Sequence, residues 1–372
     1  MPPSLSILVE RHLRGSLVAG RVTFEDSGKA YEYVSDVSDA QLQHYADSIR
    51  NNVENYLDPD AAESQRKERL EQVAEAGLLL LDSLLGKVMH EGVEDEACKE
   101  EILAWMMTEG GIVHIDSDTI HAPWNFIYPS RDQEIKPENF LGSRHQVVQR
   151  LLMKGRVSPA WSVKKLFAIH GDEPEMVQEA NHIQKHATAH RVECQRLPPD
   201  LDKPVLDCKK AFNKLWKDFA PNVIHIASHL REAKQQESGA MASPIDSTVD
   251  VYSRKGLSVG QILTTMTRER SFLELGFFNV CSLGRGRSMS DGGAAVAFAN
   301  KSACSIWVDT LLVNKSGMSF ADAFYGAYLS GSLPGEAFHK AMKQSSVSAK
   351  AMMTSLCYRF AYRYPELLRA TA

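Results

Sequence analysis

Two short apolar runs, each ending in a reactive side chain, constrain this chain more than any other feature. The first, Asn222-Val223-Ile224-His225-Ile226-Ala227-Ser228-His229, is introduced by Pro221 and ends in a histidine. The second, Gly276-Phe277-Phe278-Asn279-Val280-Cys281, ends in a cysteine, and the small, flexible Ser282-Leu283-Gly284 follows. Runs of this kind read as buried strands that deliver a reactive side chain at the C-terminal end. The two endings lie 52 residues apart. If the strands are parallel and adjacent, His229 and Cys281 meet.

The surrounding sequence suits that arrangement. From Trp161 onward strands and helices alternate. A strand over 165–169 ends at His170-Gly171-Asp172, and Met176, Ala180 and Ile183 mark a helix over 175–187. A strand over 191–197 and a helix over 206–219 lead into the His229 strand. After a polar loop over 231–246 come a helix over 259–266, the Cys281 strand, a Gly- and Ala-rich helix over 292–300 and a strand over 304–308. Helices over 319–330 and 336–344 follow. Such alternation predicts an α/β fold, a mainly parallel sheet flanked by helices. Functional groups in such sheets gather beyond the carboxyl ends of the strands, where His170, His229, Cys281 and Asp309 all fall.

The N-terminal part reads differently. Leu5, Ile7, Val9, Leu17, Val22 and Phe24 suggest strands or a hairpin. Ser38-x-x-Gln41 is a capping box ahead of Leu42, Tyr45, Ile49, Val53 and Tyr56 at helical spacing. Asp58-Pro59-Asp60 breaks that helix, and two more are expected over 61–88 and 95–107. Gly110-Gly111 opens a strand over 112–115, and Asp116-Ser117-Asp118 turns the chain. The run 122–129, with prolines at both ends of an aromatic cluster, reads as a rigid extended plug. The expected organisation is an α+β region over 1–109, a lead-in over 110–160 and a core domain with a C-terminal helical tail over 161–372.

Composition removes several function classes. The net charge of −5 suggests no general affinity for nucleic acid. No apolar run approaches the roughly 20 residues of a membrane span, and the N-terminus carries no secretory pattern. The six cysteines, Cys98, Cys194, Cys208, Cys281, Cys304 and Cys357, include no C-x-x-C pair, which suits a reduced, cytoplasmic protein. His225 and His229 share a strand face, but no second ligand cluster accompanies them, so neither a metal nor another cofactor is expected. His114, His121 and His170 read as structural.

A cysteine nucleophile needs thiolate character and a proton-transferring partner, and histidine titrates near neutrality. Each residue alone has a commoner use, the cysteine as a small buried hydrophobe. The ordered set of motifs is more specific. To the His229 and Cys281 strands it adds Gly292-Gly293-Ala294-Ala295-Val296-Ala297-Phe298, Ser305-Ile306-Trp307-Val308-Asp309 and Ala323-Phe324-Tyr325. Upstream stand residues 167–172 with Glu179, and Asp116 with Pro123-Trp124. Over about 110–342 this order resembles the CHAT domain family, caspase-like (clan CD) cysteine peptidases related to separases and caspases. In caspases too the histidine lies about 50 residues before the cysteine.

The resemblance implies a caspase–hemoglobinase fold and an endopeptidase with a His229–Cys281 dyad. The backbone N–H groups of Leu230 and Cys281 would hold the oxyanion, and His170, Asn279 and Asp309 are candidates for the substrate pocket. Relatives commonly carry glycine at the position of Leu230, which leaves two expectations: an ordinary backbone there, or a site that is impaired or awaits activation. Asp309 suggests either a preference for a basic residue or a cap for the next turn. The resemblance further implies a protein substrate, an activating or inhibitory protein partner, and regulated proteolysis in prokaryotic antiviral defence or cell death. The alternative is a catalytically silent CHAT-like scaffold that binds a partner. A metal-dependent hydrolase is a third reading. The loop over 231–246 is either a processing site or an ordinary insertion.

Overall fold

β-branched and aromatic runs become strands here wherever both of their faces can be covered. The computed structural model describes residues 2–11, 17–117, 122–130, 134–150, 165–198, 207–231, 246–252, 255–269, 273–281, 293–310 and 314–363. They belong to two compact units. The first comprises the described residues within 1–154 and 346–361, the second those within 155–285, 293–345 and 362–372.

In the first unit β1 (Ser4–Arg11), β2 (Leu17–Phe24) and β3 (Lys29–Ser38) form an antiparallel meander. Leu5, Ile7 and Val9 alternate as the sequence predicts, and all three are buried. Ser38 ends β3 and caps α1 (Asp39–Leu57), accepting the Gln41 N–H at 3.3 Å. Such a cap contributes about 1 kcal/mol. α2 (Glu63–Leu84) packs back on α1.

The apolar pattern predicts that this helix runs to residue 88. It stops at Leu84, and β4 (Lys87–His90) pairs with β3 instead. Gly86 accounts for the change, because a Cβ there would lie 2.5 Å from the Asp36 backbone nitrogen. Glu91 and Gly92, both at positive φ, turn β4 into β5 (Val93–Glu94), and Asp95 caps α3 (Glu96–Met106). β6 (Ile112–Asp116) runs parallel to β1.

The run predicted as an extended plug is buried, but Trp124–Phe126 makes one 3-10 turn within it. The turn aims the Asn125 amide, which donates to the carbonyls of Leu356 (2.9 Å) and Tyr358 (2.7 Å) in the same unit. A second 3-10 turn, Pro137–Asn139, and α4 (Leu141–Arg144) lead to β7 (Gln146–Arg150), parallel to β6.

The second unit alternates as expected: β8 (Lys165–His170), α5 (Pro174–Ala189), β9 (Glu193–Leu197), α6 (Cys208–Phe219) and β10 (Val223–Ser228). Then β11 (Leu230–Arg231), β12 (Thr248–Tyr252) and β13 (Lys255–Ser258) make a small antiparallel sheet that the sequence reading did not include. The chain continues through α7 (Val259–Arg268), β14 (Leu273–Val280), α8 (Gly293–Ala299), β15 (Ser302–Val308), α9 (Asn314–Leu329) and α10 (Pro334–Ser345). The strand order is β15-β14-β10-β8-β9, parallel throughout. Gly331, at φ 104°, separates α9 from α10.

The chain returns to the first unit through α11 (Ala349–Leu356) and β16 (Tyr358–Tyr362). The strand order there is β5-β4-β3-β2-β1-β6-β7-β16. No described helix is long and apolar enough to cross a membrane. The α/β class expected from the sequence, with a mostly parallel sheet flanked by helices, is the one observed.

Candidate active site

β10 and β14 are hydrogen-bonded in register, with Ala227 opposite Asn279 and Ser228 opposite Val280. His229 and Cys281 are the next residue on each strand, so backbone pairing sets them side by side. β10 holds that position because both its faces are buried. β14 holds it through Phe277 and Phe278, each worth roughly 1.5–3 kcal/mol of burial. Phe277 packs on Phe324 and Tyr325 of α9, and Phe278 stacks on Phe298 of α8. The small sheet fastens the histidine from the other side. Ser228 Oγ donates to the Asp250 carbonyl, and the Asp250 N–H donates to the His229 carbonyl at 3.1 Å.

The His229 imidazole is hydrogen-bonded to the Cys281 thiol. Its Nε2 also lies 2.7 Å from Glu173 Oε1. Glu173 stands immediately before α5, where Pro174 occupies the first helical position and the Glu173 side chain makes no capping bond. The histidine is pushed up to about 9, chiefly by the bond to Cys281. Burial works against the charged form, and the Glu173 bond and its negative charge add to the rise. The hydrogen bonds outweigh desolvation because the imidazole keeps 43% of its exposure.

A cavity opens beside Cys281, lined in part by Glu175, Met176, Glu179, Asn279 and Gly317. Glu179 is buried, and a buried carboxylate needs partners. Asn279 Nδ2 donates to both of its oxygens, at 3.0 and 2.7 Å. His225 Nε2 lies 2.9 Å from Glu179 Oε1, and its ring packs against Phe277 and Tyr325. His225 within β10 and His229 just beyond it thus face different partners, the core and the thiol.

The other residues expected at the site have partners of their own. His170 is buried, with Nδ1 2.8 Å from the Gly171 carbonyl and Nε2 3.0 Å from Arg196 Nη2. Burial pushes it down to about 4. Asp309 is buried and accepts the Trp307 Nε1–H at 3.0 Å. Leu230 lies in β11, opposite Val249. It is not among the described non-glycine residues at positive φ, which are Glu91, Arg191 and Ala220. Its backbone is the ordinary, extended one of a strand residue. His121, the loop residues 282–287 after Cys281, and 232–245 of the polar loop lie outside the described residues.

Sequence reasoning missed Glu173 and Glu175. The one available signal for Glu173 was an acidic residue followed by proline, three positions beyond the end of a strand.

No protein-family model matches the chain, and no curated protein sequence matches it. Solved structures do. A chain of the Saccharomyces cerevisiae separase–securin complex matches 97% of this chain and 30% of its own length, with a TM-score of 0.51 at 9% identity. This chain therefore spans about a third of that one. A second structure of the complex gives a TM-score of 0.49 at 7% identity, again over 97% and 30%. The Arg specific cysteine proteinase gingipain R gives 0.45 at 9% identity, over 74% of this chain and 68% of that one. The likeness to the separase complex shows a common caspase-like α/β fold.

Proposed function

We propose that this chain is a cysteine endopeptidase that uses His229 and Cys281 as its dyad, with Glu173 holding the imidazole. The observation that carries the reading is the hydrogen-bonded thiol–imidazole pair just beyond two strand ends in register. The Cys281 sulfur adds to the scissile carbonyl, and the His229 imidazolium gives its proton to the leaving amine. Neutral His229 then takes a proton from the water that cleaves the thioester. A histidine raised to about 9 is charged at neutral pH, as a general acid must be. The N–H groups of Leu230 and Cys281 are assigned to the oxyanion.

Glu175 at the cavity and Glu179 inside it support a basic residue on the acyl side of the cleaved bond. Asn279 contributes by orienting Glu179, and His170 and Asp309 support the surrounding strand ends. The resemblance to CHAT peptidases adds the setting: regulated proteolysis of one or few proteins, in antiviral defence or cell death, in the cytoplasm. The separase structures contain securin, which supports a protein partner here as well.

The test is cleavage of a fluorogenic peptide pool by the wild type, Cys281→Ala and His229→Ala. Both variants are expected to lose at least about 100-fold in kcat/KM. Activity retained in Cys281→Ala overturns the reading. If all three are silent and Cys281 reacts with a thiol probe no faster than the other cysteines, the chain is a CHAT-like scaffold.

A further inference from the structure

A second histidine–carboxylate–cysteine cluster lies in the first unit, away from the proposed dyad in sequence. We propose that His90, Asp95 and Cys98 bind one divalent ion of the zinc class. Their nitrogen, oxygen and sulfur ligand atoms all lie within 4.8 Å of one another. Tetrahedral bonds of zinc length set ligand atoms about 3.5 Å apart. The set needs to contract by at most about 1.3 Å, and the exposed His90 side chain is the donor with most freedom to move.

The backbone under the three donors is fixed from several directions. His90 ends β4 and pairs with Val93 across the Glu91-Gly92 turn. Both turn residues sit at positive φ, 52° and 82°, the arrangement of a two-residue hairpin loop. The Asp95 N–H donates to the Val88 carbonyl at 2.9 Å, and the Cys98 N–H to the Asp95 carbonyl at 3.2 Å. The donors therefore come from a tight hairpin and from the first turn of the helix that follows.

Tyr31 on β3 forms an outer layer. Its ring meets His90 edge-on at 5.5 Å, and its hydroxyl donates to Glu101 Oε2 at 2.6 Å. Groups of this kind orient ligands at metal sites.

The donor set selects the metal. A thiolate and an imidazole beside one carboxylate suit zinc and its neighbours, whereas magnesium and calcium prefer oxygen alone. Three protein donors leave a fourth position for water on the exposed side. On binding, the Cys98 S–H bond breaks and the proton goes to solvent, sulfur and imidazole nitrogen bond the ion, and Asp95 exchanges its bond to the thiol for one to the metal. Affinity therefore falls as pH falls. The ion would clamp the hairpin to α3.

The experiment is a cobalt(II) titration of the full chain carrying Cys281→Ala, so that the thiol of the proposed dyad cannot contribute. One equivalent is expected to give a thiolate-to-cobalt charge-transfer band and tetrahedral d–d bands, both abolished by adding zinc. His90→Ala, at an exposed position, should weaken binding by at least about 10-fold without unfolding the chain. Cys98→Ser should remove the charge-transfer band. Absence of that band from the folded parent, or equal binding by the parent and His90→Ala, overturns the proposal.

Discussion

Two clusters in this chain combine a carboxylate, a histidine and a cysteine in a different order. In Glu173–His229–Cys281 the histidine stands between the carboxylate and the thiol. In the other cluster Asp95 bonds the Cys98 thiol directly, and His90 stands beside them. A thiol next to an imidazolium is next to a cation, which favours thiolate and nucleophilic attack. A thiol next to a carboxylate keeps its proton. Cys98 is accordingly pushed up, first by burial and then by Asp95. The order of the three side chains, more than their identity, separates a nucleophile from a ligand waiting for a metal.

The largest effect that can break this comparison is the reactivity of the two thiols. In metal-free wild type, iodoacetamide followed by peptide mapping should label Cys281 at least about 100-fold faster than Cys98. Equal rates would remove the distinction. Next in size is Glu173→Gln, which should lower kcat/KM by about 10- to 100-fold. It should also move the alkaline limb of the pH profile. His229 is raised from 6.5 to about 9, so its stabilising contribution is whole below 6.5 and lost as pH rises through 9. Activity that needs the imidazolium falls over the same upper range, and loss of the Glu173 charge should bring that fall to lower pH. An unmoved limb would detach Glu173 from the histidine.

The smallest effect has the opposite sign. Asp95→Asn should raise the labelling rate of Cys98 by about 3-fold, because a neutral partner no longer opposes the thiolate. Asparagine caps a helix about as well as aspartate, so the melting temperature of the variant serves as the control. A lower labelling rate would mean that Asp95 does not hold the thiol proton.

The site was legible where burial writes directly into sequence. β10 and β14 are covered on both faces, so they stand out as apolar runs, and their last residues mark the site. The candidacy of Asn279 came from the resemblance to CHAT peptidases. The strand-end rule gives the positions of His170 and Asp309 but not their partners, Arg196 and Trp307, which lie on β9 and at the end of β15. Glu173 was not legible because it meets His229 across 56 residues, through the parallel pairing of β8 and β10. β4 was hidden by the apolar stretch that ends α2. Helix and strand look alike over so few residues, and Gly86 was the one mark of the change. His90, Asp95 and Cys98 went unread because their spacing matches no common metal motif.

The register of β10 and β14 has a consequence for how this chain can vary. Side chains alternate along a strand, so one inserted or deleted residue turns every later position to the opposite face. An insertion within 273–280 would present Val280 where Cys281 now stands and leave His229 facing a methyl group, even if the sheet closed again around the extra residue. A substitution in the same interval, at any position other than Asn279, only changes packing. The two strands can therefore drift in composition, while their length is inherited whole.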